Sequence, residues 1–221
     1  MKREIIQTAD GSKTIFIPEL NECYHSKNGA LAESMHIFIN AGYRYAAENK
    51  KTLNVLEIGF GTGLNALLTL IETLRDNRFI NYHGIEPCRI GKQELDELGY
   101  PELTGVPGAR VYYQELHKTR SENPITDCFT LSVSEEKIED IALKKSFYDL
   151  VYFDAFAPAV QPELWRPEIF DKIAASIRIG GVLVTYSCKG DVKRALKIAG
   201  FSLKKLPGPP GKREFLRAVK L

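Results

Sequence analysis

The residues of this chain best suited to chemistry are acids that close apolar runs. In VYFDAFAPAVQPELW, Val151 to Trp165, three residues fit for a buried strand run directly into Asp154. Phe156, Pro158 and the only tryptophan follow. A carboxylate at the carboxyl end of a core strand lies where open α/β sheets bind ligands. There it can accept hydrogen bonds from an amine or a hydroxyl. LNVLEIGFGTGLN, Leu53 to Asn65, places Glu57 just ahead of three alternating glycines, Gly59, Gly61 and Gly63. Glycine permits a tight turn and lets a ligand lie against bare backbone, near the positive end of the helix that follows. Glu86 closes YHGIE, and an acid at such a strand tip accepts hydrogen bonds from both hydroxyls of a ribose. The loop PGPPGKR, Pro207 to Arg213, is stiffened by prolines and presents Lys212 and Arg213. With Lys189 these cations suit phosphate contact, which weakens as salt rises.

These residues need elements to hold them. A buried strand is expected at Leu53–Ile58, a helix with leucines at helical spacing at Thr62–Arg75, a strand at Phe79–Ile85 and a helix at Ile90–Leu98. Further strands are expected at Cys128–Val133, Tyr148–Phe153 and Gly181–Ser187. Helices are expected at Ser134–Leu143 (a weak one), Pro162–Ile177 and Asp191–Ala199, the last stopped by Gly200. Phe201–Leu206 and Glu214–Lys220 pair as a terminal hairpin, which brings the strands to seven. Glu102–Ser121 shows no clear pattern. Strands alternating with helices predict one doubly wound, mainly parallel sheet over residues 51–221, with an antiparallel C-terminal hairpin. Residues 1–50 read as a small extension packing on that core, with a β-type run at Thr14–Ile17 and a helix from Ala30 to about Tyr45.

Composition agrees with one α/β domain. The 221 residues are 44% hydrophobic and 26% charged, enough for a sizeable core. The N-terminus MKREIIQTAD lacks the apolar region of a secretory signal, and Cys23, Cys88, Cys128 and Cys188 are scattered without a CxxC pair. The expectation is a cytoplasmic protein with reduced thiols, no membrane segment and no metal site. Net charge is only +2, yet Lys189–Leu221 holds ten Lys/Arg against two Asp/Glu, a local balance of +8. Such a basic terminal segment suits nucleic acid, or equally the solvated faces of ordinary elements.

The glycine spacing bears on the cofactor. A dinucleotide loop reads GxGxxG, whereas Glu57–Gly63 reads E-x-G-x-G-x-G. This form resembles motif I of S-adenosylmethionine-dependent methyltransferases, and the resemblance puts Glu57 near the methionine part of the cofactor. Over almost the whole chain the sequence resembles the methyltransferase part of the bacterial MnmC-type tRNA 5-methylaminomethyl-2-thiouridine biosynthesis proteins. The stretches that carry this resemblance are DGS (Asp10–Ser12), YHS (Tyr24–Ser26), GALAES (Gly29–Ser34), EIGFGTGLN (Glu57–Asn65), DAFAP (Asp154–Pro158), PELW (Pro162–Trp165) and GPPGKRE (Gly208–Glu214). DAFAP, PELW and GPPGKRE are much more specific than the glycine loop.

The resemblance implies a Rossmann-like fold and methyl transfer from S-adenosylmethionine to the amine of 5-aminomethyl-(2-thio)uridine at the tRNA wobble position. It implies tRNA, through its anticodon stem-loop, as partner. With one glycine loop already assigned, no FAD and no metal are expected, and upstream tRNA-modifying enzymes must deliver the aminomethyl uridine. Glu57, Gly59, Phe60, Gly61, Gly63, Asn65, Glu86 and Asp154 are the cofactor residues on this reading. Asp154 and Phe156 carry catalysis, the first orienting the amine or removing its proton, the second forming an aromatic wall. Tyr24, Ser26, Pro158, Lys189, Lys212 and Arg213 meet the substrate, while Trp165 is expected to pack. One departure stands out: SVSEEKIED follows Cys128–Val133 where such proteins often carry a Gly-Asp pair near the adenine, leaving Glu135 or Glu136 as substitutes. The competing readings are a methyltransferase of the same fold acting on DNA adenine, protein or a small amine, a nicotinamide-dependent oxidoreductase, and a non-catalytic tRNA-binding module.

Overall fold

A computed structural model describes residues 1–221. In chain order the strands are β1 (Glu4–Gln7), β2 (Lys13–Ile17), β3 (Glu22–Cys23), β4 (Thr52–Ile58), β5 (Phe79–Ile85), β6 (Asn123–Thr126), β7 (Phe129–Ser134), β8 (Tyr148–Phe153), β9 (Ile177–Thr185), β10 (Phe201–Pro207) and β11 (Glu214–Lys220). The α-helices are α1 (Ala30–Ser34), α2 (Arg44–Ala46), α3 (Leu64–Asp76), α4 (Lys92–Leu98), α5 (Tyr100–Leu103), α6 (Ala109–Lys118), α7 (Pro167–Ser176) and α8 (Gly190–Ile198).

β1, β2 and β3 form a small sheet of their own, and the other strands form an eight-stranded sheet in the order β10-β11-β9-β8-β4-β5-β7-β6. The five middle strands run parallel, and both outer additions are antiparallel. Every residue of β8 is buried, as a strand covered on both faces requires. Its side chains alternate between two cores: Leu150 and Tyr152 pack on one face of the sheet, Val151 and Phe153 on the other. β4 divides the same way, Leu53 and Val55 against Leu56 and Ile58. Because β4 is flanked by β5 on one side and β8 on the other, the winding reverses at β4, and a crevice opens at the carboxyl ends of β4 and β8.

Several expectations change. The sheet has eight strands, not seven, because Asn123–Thr126 adds to β7 as an edge, where the missing N–H of Pro124 breaks no central ladder. The expected helix Ser134–Leu143 is absent: only Ile138 and Ile141 in it are buried, too short a stripe to hold a helix to the core. The patternless stretch Glu102–Ser121 holds the end of α5 and all of α6. The long helix Pro162–Ile177 is two pieces, a 3-10 turn at Pro162–Trp165 and then α7. Pro167 disfavours helical geometry at Arg166, which is extended at φ −72°, ψ 152°. The Ala30–Tyr45 helix widens to π geometry over Met35–Tyr43. There Gly42 lies so close to the sheet that a Cβ would meet Val184 at 2.9 Å and Tyr152 at 3.1 Å.

The N-terminal extension is tied to the crevice. Asp10 receives Ala32 N–H at 2.9 Å and Ser12 N–H at 3.0 Å, which pins the loop before α1. The His25 ring, buried beside Thr14, Thr62 and Tyr100, joins the extension to the glycine loop, and burial lowers its pKa to about 4. It is a neutral structural histidine at physiological pH.

Candidate active site

The glycine loop connects β4 to α3 and meets the end of β8. Gly59, Gly61 and Gly63 all have positive φ, at +87°, +47° and +70°. At Gly59 the demand is also steric, since a Cβ would lie 2.5 Å from the carbonyl oxygen of Asp154. Backbone bonds lock the junction: Asp154 N–H donates to Ile58 O at 2.9 Å, and Gly59 N–H to Ile85 O at 3.1 Å. Asp154 is thus held at the crevice by main chain as well as by its side chain.

A cavity of about 590 Å³ opens here. Gly59, Gly61 and Glu86 line one wall, Asp154 and Phe156 another, and Tyr24 and Ser26 of the extension cover it. Tyr24 packs edge-on against Phe156 at 5.0 Å between ring centroids, and burial pushes its hydroxyl up to a pKa of about 12. Phe156 is fixed from behind, where Trp165 Nε1–H donates to its carbonyl at 2.8 Å. Trp165 is buried against Phe153, with centroids 4.7 Å apart, so the tryptophan anchors the wall without facing the cavity.

The electrostatics are dominated by acids. Glu57 lies wholly beneath the loop, accepting from Asn65 Nδ2 at 2.9 Å and from the Tyr82 hydroxyl at 2.7 Å. Burial raises its pKa well above the usual range. The same Asn65 amide donates to Asp154 Oδ2 at 2.9 Å, while its buried Oδ1 has no partner. Burial, and then the Glu33 charge, raise Asp154 to about 7, against the opposing pull of the Asn65 bond and Lys212. Glu86 accepts from Gly61 N–H at 2.8 Å and Cys88 N–H at 2.9 Å, and burial again raises its pKa. Glu33, buried in α1, pairs with Lys212 from the β10–β11 loop. Beside Asp154 and Glu33 the cavity wall carries Lys212, and Arg3, Lys27 and Lys137 also line the cavity.

Of the residues singled out in the sequence, Asp154, Phe156, Gly59, Gly61, Glu86, Tyr24, Ser26 and Lys212 converge on the cavity. Asn65 and the Phe60 loop position border a recess of about 20 Å³ beside Asp154. The Phe60 ring turns into the core over Gly84. Glu57, Gly63, Pro158, Lys189 and Arg213 do not line the cavity. Lys212 departs most from expectation: its ammonium turns inward to Glu33 and the Tyr186 ring, 4.1 Å away, and leaves Arg213 as the exposed cation of that loop. Glu135 is drawn to Arg120 at 2.7 Å and Arg89 at 3.4 Å, and the wall near it is made by Lys137, Ile138 and Glu139. Glu33 and Tyr186 had no role in the sequence reading. Glu33 sits inside GALAES, where only its burial marks it out.

A glycine loop at the turning point of a doubly wound sheet, an acid beneath it and another at the next strand tip define an α/β enzyme that binds a nucleoside-bearing cofactor. The chain belongs to the S-adenosyl-L-methionine-dependent methyltransferases, whose family profile matches residues 110–221. It is 29% identical over 217 residues to the tRNA 5-methylaminomethyl-2-thiouridine biosynthesis bifunctional protein MnmC of Ralstonia nicotianae, covering 93% of this chain and 33% of that protein. The chain therefore spans about a third of the length of the curated relatives it matches. The crystal structure of MnmC2 from Aquifex aeolicus superposes with a TM-score of 0.77 at 27% identity, covering 99% of this chain and 70% of that one. Spermidine synthase from Thermotoga maritima shares the fold, with a TM-score of 0.53 at 14% identity over 99% of this chain and 72% of that one.

The residues present fit S-adenosylmethionine. Bare backbone at Gly59 and Gly61 faces the cavity, the Glu86 carboxylate lines it, and the unpartnered Asn65 Oδ1 beside Asp154 is an acceptor without a donor. No group of three or more His, Cys, Asp or Glu is arranged to hold a metal ion.

Proposed function

We propose that this chain methylates the amine of 5-aminomethyl-(2-thio)uridine at the wobble position of tRNA, giving the 5-methylaminomethyl product. The observation that carries the reading is the acidic, aromatic-walled cavity in which Asp154 is held near pKa 7 beside Asn65 and Glu33. S-adenosylmethionine supplies an electrophilic methyl group on a sulfonium. The nitrogen that receives it must be unprotonated and aligned, and alignment alone supplies a large part of such rate accelerations. Asn65 fixes Asp154 Oδ2, which leaves the other carboxylate oxygen to accept a hydrogen bond from the amine. A carboxylate at pKa about 7 also takes up a proton far more readily than one near 4, so Asp154 both orients the amine and receives the proton it sheds. Phe156 and Tyr24 give flat apolar surfaces for the uracil ring and a face for positive charge.

The tRNA reading is supported by the names of the relatives and by the basic C-terminal segment Lys189–Leu221. Arg213 adjoins Lys212 on the cavity wall, and Lys189 follows Tyr186 by three residues. Both are exposed and suited to phosphates of an anticodon stem-loop. A separate activity must supply the aminomethyl uridine, and the reading places the chain in the cytoplasm, where that substrate resides. No helix is long and apolar enough to cross a membrane.

The experiment is methyl transfer from labelled S-adenosylmethionine to tRNA lacking only this final methyl. Nucleoside analysis should show conversion of aminomethyl to methylaminomethyl uridine. Transfer to DNA, protein or a free small amine, with none to that tRNA, would overturn the reading.

A further inference from the structure

We propose that Glu33, Tyr186 and Asp154 form the seat of the substrate amine, and that the Lys212 ammonium occupies this seat until the substrate arrives. This rests on the amine-methylating reading above and deepens it. The Lys212 head is itself a primary alkylammonium, the same group the substrate presents. It is held by a buried carboxylate, Glu33, whose other oxygen receives Ser26 N–H at 2.8 Å. It also stands 4.1 Å from the centre of the Tyr186 ring, and Tyr186 is placed by donating its hydroxyl to Ala155 O at 2.8 Å, one residue from Asp154. Glu33, Lys212, Tyr186 and Asp154 all face the same cavity.

Charge permits exchange and reach favours it. Two carboxylates and one ammonium leave one negative charge over when Asp154 is ionised, so the incoming ammonium is attracted before Lys212 has withdrawn, and the single Glu33 carboxylate then passes from one to the other. Lys212 comes from the β10–β11 loop, 179 positions from Glu33, and its side chain remains 28% exposed. Four rotatable bonds let the head withdraw towards solvent while the loop stays in place. Glu33 then passes from an internal ammonium to the substrate's, and discriminates an aminomethyl group from an uncharged substituent of similar size.

Calorimetric titration of the full chain with 5-aminomethyluridine, in the presence of S-adenosylhomocysteine, tests this, with 5-methyluridine as the control lacking the amine. Glu33→Gln should weaken binding of the aminomethyl nucleoside at least about tenfold and leave 5-methyluridine and S-adenosylhomocysteine unchanged. Lys212→Met should tighten the aminomethyl nucleoside several-fold, because its competitor is gone. Unchanged aminomethyl binding in Glu33→Gln, or weaker or unchanged binding in Lys212→Met, overturns the proposal. If Glu33→Gln loses S-adenosylhomocysteine as well, the direction of the Lys212→Met effect decides alone. Failure of the wild type to methylate aminomethyl tRNA would instead count against the function proposed above, since the nucleoside titration reads the seat without turnover.

Discussion

Replacing Asp154 with asparagine should stabilise the protein at alkaline pH while removing its activity. Burial and the Glu33 charge raise the Asp154 pKa from 3.8 to about 7. The folded state therefore binds a proton that the unfolded chain has already lost between those values. The stabilising contribution of the protonated acid is complete below about pH 4 and disappears as pH rises through 7. At roughly 1.4 kcal/mol per pKa unit, about three units correspond to at most about 4 kcal/mol of destabilisation by the ionised group at pH 8. Asp154 is only partly buried, and solvent reaching it through the cavity reduces this to about 2 kcal/mol. Asparagine keeps a carbonyl that accepts the Asn65 amide and carries no charge to desolvate. Urea unfolding between pH 4 and 8.5 should give nearly equal stabilities at pH 4 and a variant more stable by about 2 kcal/mol at pH 8. Methyl transfer should fall about a hundredfold or more, the usual scale for losing a proton-handling group. A stability difference independent of pH, or a variant weaker than wild type at pH 8, would refute the assignment of a costly charge to Asp154.

Substitutions at three other positions probe the frame around it. Gly59→Ala combines positive φ with a Cβ 2.5 Å from Asp154 O, so it should cost about 2–4 kcal/mol in urea unfolding and raise the Kd for S-adenosylmethionine; a loss below about 1 kcal/mol would contradict the steric argument. Glu57→Ala strands the Asn65 amide and the Tyr82 hydroxyl and should cost about 3 kcal/mol, whereas Glu57→Gln should cost less, since its amide oxygen still accepts one of the two bonds. Equal losses for the two would contradict the assignment of those bonds to Glu57. Trp165→Phe removes the bond to the Phe156 carbonyl and should cost about 1–2 kcal/mol, with a higher KM for the RNA and an unchanged Kd for S-adenosylmethionine; a shifted cofactor Kd would place Trp165 in a different role.

The parts of this protein legible in its sequence are those fixed by local pattern. The parallel strands β4, β5, β7 and β8 are apolar or alternating runs followed at once by a glycine or an acid, and the glycine loop announces its own backbone geometry. The misreadings arose where a neighbour decided the outcome. Pro167 cuts a helix that its hydrophobic spacing would continue, and Asn123–Thr126 becomes a strand only because β7 offers a free edge. Lys212 is the sharpest case. Its proline-rich loop and basic surroundings read as a surface for phosphate, and nothing local indicates that a glutamate 179 positions earlier is buried within reach. Glu33 in turn looks like any acid in a helical first turn until the fold removes it from water. The chemistry of the site therefore has two sources. Asp154, Phe156 and the glycines are delivered by individual strand ends and are visible one segment at a time. Burial is the first cause of the raised Asp154 pKa, and the charges that adjust it are Glu33 and Lys212, the one from the N-terminal extension and the other from the C-terminal hairpin, so the full shift exists only once both have closed over the crevice.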